Sequence, residues 1–213
     1  MSEAPLPAGE EGHRFPGLDV LSQRDHWDDA TARLIAARVS DGPEPRFFAE
    51  GEFDTASALI SQLVDQEEGF SAGLCRTVDA RLADTQTDGW HYDDMPRDGE
   101  VWHRGLAGLD DDARSRFGRA FRELARDERD AVLTGIRERG DGDWHGLRAG
   151  RLWDLWMRYA CTACYAHPSV WNEIGFSGPA YPRGYKNAGI NAREPFEVAD
   201  ARPRHDPIRQ DAP

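Results

Sequence analysis

The chain has 213 residues, of which 39% are hydrophobic and 31% are charged, and this length and balance suit one globular domain with tails. Its formal net charge of −13 repels phosphate backbones and anionic lipid surfaces, so we expect no nucleic-acid partner. No apolar run in the sequence is long enough to span a bilayer, so we also expect no membrane insertion.

The N-terminal segment is predicted to be a disordered tail over residues 1–18, because it is acidic and rich in proline and glycine. It has neither a positive region followed by an apolar one nor a pair of arginines, so we expect no export signal. Three cysteines are an odd number and do not indicate a disulfide framework. Free thiols in the cytoplasm are therefore the expectation.

Apolar residues at helical spacing predict the first three helices. We place them at residues 26–39, 50–64 and 71–83, followed by a polar aromatic loop over 87–96. The residues predicted to face inward are Trp27, Leu34, Ile35 and Val39 in the first, Phe53, Ala56, Ile60, Leu63 and Val64 in the second, and Leu74, Val78 and Leu82 in the third.

The middle of the chain continues as helix. One helix carries Trp102, Leu106 and Leu109, and Asp110 is predicted to cap a short successor that ends near Gly118. Another begins near Asp127 with Ala131, Val132 and Ile136 facing inward, and a loop is predicted over 140–146. The longest helix spans 149–166, with an apolar stripe of Leu152, Trp153, Trp156, Tyr159, Ala160 and Ala163.

The C-terminal part restarts as a helical turn at Pro168, a residue favoured in the first position of a helix. Beyond Phe176 the glycines and prolines rule out regular structure. Since no alternating strand pattern occurs, the fold class is predicted to be all-α, a compact domain of about six helices with long irregular loops and extended tails. Its boundaries are residues 19–190, and residues 191–213 form an extended C-terminal tail.

The sequence contains few motifs that are typical of a catalytic, cofactor or metal site. There is no nucleophile elbow, no zinc-protease motif and no phosphate-binding glycine loop, so we predict no catalytic and no cofactor-binding residues. Cys161 and Cys164 stand at the spacing that can bind zinc or form a redox pair, but a structural zinc site needs four ligands and no second pair exists. Two small residues of a helix are the favoured interpretation, and a metal or thiol site is the alternative.

The most distinctive segment is residues 167–185, which combines aromatic residues with glycines and prolines that constrain the backbone. His167 is expected to cap the C-terminal end of the preceding helix, where the helix dipole favours a histidine. The rest of the segment has two interpretations of equal weight: a loop packed on its own helices, or a rigid aromatic loop that binds a partner, with Arg183 as a polar anchor.

This segment resembles the closing motif of the gluconate 2-dehydrogenase subunit 3 family. Members of that family commonly end in His-Pro, Trp, Ile-Gly-Phe and then Gly-Pro-Ala-x-Pro-x-Gly-Tyr. The matching residues are His167-Pro168, Trp171, Ile174-Gly175-Phe176 and Gly178-Pro179-Ala180-Tyr181-Pro182-Arg183-Gly184-Tyr185. Weaker upstream matches are Phe47-Phe48, Trp102-His103-Arg104-Gly105-Leu106, Leu109-Asp110, and Phe117-Gly118 with Phe121. The resemblance covers roughly residues 45–190.

The resemblance implies a non-catalytic accessory subunit that binds and stabilises a larger dehydrogenase. That partner is an FAD-dependent enzyme of the glucose–methanol–choline (GMC) family that oxidises sugars, sugar acids or polyols, so FAD is expected in the partner and no cofactor in this chain. Since no twin-arginine signal is visible, the complex is expected in the cytoplasm, which makes a cytochrome c subunit doubtful. Export with a signal-bearing partner is the alternative.

The interface residues that the motif and its aromatic content suggest are His167, Trp171, Phe176, Pro179, Tyr181, Pro182, Arg183 and Tyr185. Two other functions stay open beside the accessory subunit. One is a stand-alone metal- or thiol-binding protein that uses Cys161 and Cys164, and the other is a general interaction or chaperone protein with several clients.

Overall fold

The computed structural model describes residues 15, 17–40, 42, 44–186 and 192–198. Their fold is all-α, as predicted, and none of the described helices is both long and apolar enough to cross a membrane. The α-helices are α1 Asp29–Arg38, α2 Glu50–Val64, α3 Glu68–Ala83, α4 Asp98–Phe117, α5 Arg126–Arg137, α6 Ala149–Tyr165 and α7 Pro168–Ile174. Two 3-10 helices, Val20–His26 and Phe121–Glu123, and a hairpin of β1 Asp143–Trp144 with β2 Leu147–Arg148 complete the described elements.

Two compact units make up the chain. The central unit is Gly42–Cys164, and the terminal unit combines Glu3–Asp41 with Tyr165–Pro213. The domain predicted over 19–190 stays a prediction. The tails predicted at 1–18 and 191–213 lie mostly outside the described residues.

The core of the central unit is built around large aromatic side chains on α4, α6 and the hairpin. Trp102, Trp144, Trp156 and Tyr159 are fully buried. The Trp102 ring lies 6.4 Å from Trp156 and 5.9 Å from Tyr159, and Trp144 lies 6.0 Å from Trp156. Edge-on and tilted arrangements at these distances stabilise aromatic pairs beyond the area that they bury.

Two glycines of α4 make room for these indoles. A Cβ on Gly105 would lie 2.6 Å from Trp156, and a Cβ on Gly108 would lie 2.7 Å from Trp144. Glycine weakens a helix, but any larger residue at either position would displace a buried ring. The glycines of α4 therefore permit the approach of α6 and the hairpin.

A buried carboxylate fixes the chain as it enters α2. Asp79 of α3 is buried and accepts hydrogen bonds from the backbone N–H groups of Arg46 (2.6 Å), Phe47 (2.9 Å) and Phe48 (2.8 Å). Three donors around one ionised acceptor satisfy a buried charge. Asp79 of α3 thus fixes the backbone at Phe48, whose ring packs on Trp102 with ring centres 5.6 Å apart.

The predicted break at Asp110 is wrong, because α4 runs without interruption from Asp98 to Phe117. Asp110 lies inside this helix, and its Oδ1 accepts from the backbone N–H of Phe121 at 3.0 Å. Its carboxylate also pairs with Arg114. Leu109 and Ala113 are both buried, so the apolar face continues through the position where the sequence suggested a cap.

A short antiparallel hairpin that the sequence did not indicate begins within the loop predicted over 140–146 and extends to Arg148. Asp143 pairs with Arg148 and Trp144 with Leu147. His145 and Gly146 form the turn, and both have positive φ, the pattern of a type I′ turn. Asp112 of α4 holds the hairpin through the Trp144 indole and the His145 ring, each at 2.9 Å.

The N-terminal helix differs most from its prediction. It begins at Asp29, with Asp28 as the N-cap, because the Asp28 carboxylate accepts from the backbone N–H of Thr31. Hydrogen bonds with Thr31 also lower the pKa of Asp28. Residues 20–26 form a 3-10 helix, and the predicted inward positions Leu34 and Val39 are exposed, whereas Ile35 is buried.

The other helices match their predictions closely. α2 has the predicted bounds, α3 begins three residues before the predicted start at 71, and α6 ends at Tyr165. The helical restart at Pro168 is confirmed as α7. The apolar stripe of α6 is buried except for Trp153, which is half-buried.

Candidate partner-binding surface

The terminal unit has a small core beneath the aromatic segment. Val20, Trp27, Ile35 and Trp171 form this cluster, in which the 3-10 helix, α1 and α7 meet. The Trp171 indole donates to the carbonyl of Tyr165 at 2.6 Å. A side chain of the predicted interface set therefore joins α7 to Tyr165 within the terminal unit.

The irregular segment after α7 is held close to this core. Gly178 has φ +82, and a Cβ there would lie 2.8 Å from both Trp27 and Val20. Only glycine combines this backbone conformation with so close an approach. The Trp27 indole also donates to the carbonyl of Pro179 at 3.0 Å, which pins the loop at the following residue.

Further bonds extend this attachment along the segment. The backbone N–H of Val20 donates to Asn172 Oδ1 at 2.8 Å, and that of Val198 donates to Ser177 Oγ at 3.2 Å. Arg183 Nη1 donates to Gln23 Oε1 at 2.9 Å. Two of these contacts, at Asn172 and Arg183, join residues that are 152 and 160 positions apart, so a distant part of the chain attaches the segment.

His167 has a structural role that the sequence did not predict. It is the N-cap of α7, and its Nδ1 accepts a hydrogen bond from the backbone N–H of Ser169 at 3.2 Å. The ring thus serves as an acceptor for the next helix, and the predicted cap at the carbonyl end of the preceding helix stays a prediction. Burial lowers the pKa of His167, which agrees with a neutral imidazole in this role.

The eight predicted interface residues divide into two groups. His167, Trp171, Pro179 and Arg183 are buried or half-buried and take part in the contacts that fix the segment. Phe176, Tyr181, Pro182 and Tyr185 are exposed, with Tyr181 at 64% and Tyr185 at 59%. The first group packs on the unit's own elements. The second group is largely open to solvent, although Phe176 lies 5.2 Å from the Trp171 ring and Tyr185 lies 6.0 Å from the Phe196 ring.

Exposed apolar side chains are concentrated in the terminal unit. Of the ten large hydrophobic side chains that are exposed among the described residues, eight belong to this unit, including Tyr165 and Ile174, which the prediction omitted. Sequence patterning also missed Trp27 and Gln23 as supports of the segment. No local pattern indicates them, since their partners lie far along the chain.

The central unit has one exposed aromatic loop, at the polar aromatic segment predicted over 87–96. Trp90 and Tyr92 pack edge to face at 5.3 Å. The guanidinium of Arg158 lies 5.2 Å from the Trp90 ring centre, and that of Arg151 lies 3.8 Å from the Tyr92 ring centre. These α6 arginines hold the loop over a cavity of about 190 Å³.

The two cysteines of α6 lie among helix-packing residues. Cys164 is buried, Cys161 is half-buried, and neither forms a disulfide. Among the described residues, no group of three or more His, Cys, Asp or Glu side chains could hold a metal ion. The third cysteine, Cys75, is buried in α3, and its burial raises the pKa of the thiol.

The upstream segments of the resemblance meet in the central unit. Phe47 stacks on His103 with ring centres 4.5 Å apart, and His103 Nδ1 lies 2.7 Å from Glu52 Oε1. The other Glu52 oxygen accepts from the backbone N–H of Ala49, at the start of α2. Segments that are far apart in sequence therefore form one structural cluster.

A protein-family model matches most of the helical part of the chain. The model for gluconate 2-dehydrogenase subunit 3 matches residues 50–178, which is more than half of the chain. The matched range runs from α2 through α7 and ends within the closing motif, at Gly178. Neither a curated protein nor a solved structure matches the chain.

Proposed function

The chain belongs to the gluconate 2-dehydrogenase subunit 3 family, and on this premise we propose that it is a non-catalytic accessory subunit. Its partner is a large FAD-dependent dehydrogenase of the GMC family that oxidises a sugar, a sugar acid or a polyol. This chain binds and stabilises that enzyme, and the partner supplies both the flavin and the substrate site.

The observation that carries the proposal is the exposed aromatic group on a fixed loop. Phe176, Tyr181 and Tyr185 project from a segment that is anchored at Pro179 by Trp27 and at Arg183 by Gln23. A side chain that is already held in place loses little conformational entropy when a partner covers it. Tyrosine is enriched at interface centres because it combines a large apolar ring with a hydroxyl group that can find a partner.

The uneven distribution of apolar side chains supports the same surface. Among the described residues, the central unit exposes two large hydrophobic side chains, Trp90 and Tyr92, whereas the smaller terminal unit exposes eight. Single exposed apolar residues are ordinary, but their concentration in one unit is typical of a protein-binding region. We therefore assign the flavoprotein contact to the terminal unit.

A tagged pull-down from native cell extract tests the proposal. The expected result is one co-purifying protein of flavoenzyme size, with the absorbance spectrum of bound FAD and a dye-linked dehydrogenase activity that the isolated chain lacks. A colourless chain that elutes alone would contradict the proposal, as would sugar oxidation by the isolated chain. Many unrelated captured proteins would instead favour the chaperone alternative.

A pair of variants locates the contact. Tyr181→Ser with Tyr185→Ser should weaken flavoprotein binding by at least about 30-fold, since anchor side chains of this kind each contribute about 2 kcal/mol. Trp90→Ser is the matched control, because Trp90 is an aromatic residue that is 51% exposed but lies in the central unit. Binding that is equal in the double variant and the control would place the interface elsewhere.

A further inference from the structure

The cavity beneath the aromatic loop of the central unit contains carboxylate oxygens that no described residue binds. Asp154 of α6 lines this cavity and is exposed, and its carboxylate forms neither a hydrogen bond nor an ion pair with any described residue. Asp98, the first residue of α4, also lines the cavity and is 4% exposed. Its Oδ2 accepts from the Tyr159 hydroxyl at 2.7 Å, whereas its Oδ1 has no hydrogen-bond partner among the described residues and is not one of the fully enclosed polar atoms. Both aspartates therefore offer an acceptor oxygen to a ligand in the cavity.

The cationic side chains of the same lining already have close partners. Arg151 forms an ion pair with Asp94, and Arg158 forms one with Asp88 at 2.9 Å. Arg158 lies farther from Asp98, at 3.8 Å. The carboxylates of the lining, unlike its guanidinium groups, thus lack a close counter-ion. A carboxylate that is removed from water without such a partner is costly, so the arrangement favours a ligand with a positive charge.

The charge around the cavity does not repel such a ligand. The aspartates and arginines of the lining and of its ion pairs are equal in number: Asp88, Asp94, Asp98 and Asp154 against Arg81, Arg148, Arg151 and Arg158. The chain as a whole has a formal charge of −13, so a cation is attracted to the protein from a distance.

The size and the apolar walls of the cavity restrict the ligand to a small organic molecule. The volume of about 190 Å³ lies below the range of drug-sized ligands. Met95 and Leu155 contribute buried apolar surface to the lining, and Trp90 contributes a ring that is 51% exposed. An indole attracts a cation over its face, and the apolar side chains favour an alkyl group.

We propose that this cavity binds a small primary ammonium ion whose N–H groups donate to Asp98 Oδ1 and to the Asp154 carboxylate. The alkyl part of the ligand packs against Trp90 and Leu155. A primary ammonium group has three donors and so can serve both carboxylates with charge-assisted hydrogen bonds, whereas a quaternary ammonium group has no donor. The ligand is a free, soluble amine, and the site does not depend on the flavoprotein.

Calorimetric titration of the full-length chain with n-butylammonium chloride, near neutral pH and at constant ionic strength, tests the site. Saturable binding of one ion per chain is expected. Two matched probes should bind at least about tenfold more weakly: n-butanol, which has the same alkyl chain without the charge, and tetramethylammonium, which has the charge without a donor. In a chain labelled with ¹⁵N-tryptophan, the indole resonance of Trp90, identified by its loss in Trp90→Phe, should shift with n-butylammonium.

Substitutions of single carboxylates assign the contacts. Asp98→Asn keeps an oxygen for Tyr159 but loses the charge, and Asp154→Asn changes an exposed residue outside the core, so each should weaken n-butylammonium binding by at least about fivefold. Asp93→Asn is the matched control, because Asp93 is an exposed aspartate of the same loop that does not line the cavity, and its affinity should equal that of wild type.

Three results would overturn the proposal: no saturable binding of n-butylammonium by wild type, equal binding of n-butanol, or an Asp154→Asn affinity equal to that of the Asp93→Asn control. Circular dichroism checks the fold of each variant. If Asp98→Asn does not fold, the comparison of Asp154→Asn with Asp93→Asn decides alone, because both of these residues are exposed.

Discussion

The central and terminal units use aromatic residues in opposite ways. In the central unit, Trp102, Trp144 and Trp156 are enclosed by helices that approach closely at glycine positions. In the terminal unit, Trp27 and Trp171 belong to a core cluster of four residues, and the tyrosines of the following loop face solvent. The same residue type builds the core of one unit and is exposed at the surface of the other.

This difference between the two units shows that aromatic content alone does not distinguish a core from an interface. A ring is buried when a helical scaffold of sufficient size surrounds it, as α4, α6 and the hairpin surround Trp156. A segment rich in proline and glycine can anchor a few rings but leaves others largely exposed, as it does Tyr181 and Tyr185. Stability should therefore respond to changes in the central unit, and binding to changes in the terminal unit.

The largest expected effect on stability comes from emptying the aromatic core. Trp102→Ala removes a fully buried indole and should lower the free energy of unfolding by about 3–5 kcal/mol. Trp90→Ala removes a ring that is 51% exposed and should cost less than about 1 kcal/mol. Urea denaturation measures both, and equal losses would break the distinction between enclosed and exposed aromatics.

A smaller loss is expected at the buried carboxylate of the central unit. Asp79→Asn retains a single acceptor oxygen for three backbone N–H groups and should cost about 2–4 kcal/mol. Asp84→Asn is the control, since Asp84 forms an exposed ion pair with Arg46 that is worth less than about 1 kcal/mol. Equal decreases in Tm for the two variants would show that the conformation of the segment before α2 does not depend on Asp79.

Substitution of one glycine in each of two helices tests whether close helix packing or helix propensity dominates at each position. Gly105→Ala should lower the stability by about 1–3 kcal/mol, because its Cβ would overlap the Trp156 ring. Gly73→Ala in α3 meets no atom within 4 Å and should raise the stability by about 0.5–1 kcal/mol through helix propensity alone. Chemical denaturation should show changes of opposite sign in the free energy of unfolding of the two variants. An increase in both would show that α4 and α6 can move apart without loss of stability.

The smallest effect concerns the pH dependence at His167 in the terminal unit. Since burial lowers the pKa of His167, the unfolded chain takes up the proton first as the pH falls below about 6.5. The contribution of the neutral ring is complete above the unfolded pKa and is lost as the pH falls through the folded pKa. His167→Asn keeps an N-cap acceptor, so Tm should decrease less between about pH 7.5 and pH 5 than in wild type. Parallel Tm curves would exclude this role.

Much of the helical architecture follows from local sequence. The bounds of α2 and the buried stripe of α6 agree with apolar spacing, since amphipathic periodicity directly reflects burial on one face. The prediction of a helix break at Asp110 is wrong because an aspartate can lie either at an N-cap or inside a helix, and its residue type alone does not distinguish the two positions. Its carboxylate binds the backbone of Phe121 instead, and no local pattern reveals that partner.

By itself, the sequence determined the all-α class, most helix positions and, through the closing motif, the family. These properties depend on local spacing and on residue identity, which a linear pattern contains. Only the tertiary structure separated the anchors Trp171 and Arg183 from the exposed Tyr181 and Tyr185, and only it placed Trp27 beneath the loop. The physical reason is that burial of a loop residue depends on contacts across more than a hundred residues, and such contacts leave no periodic trace.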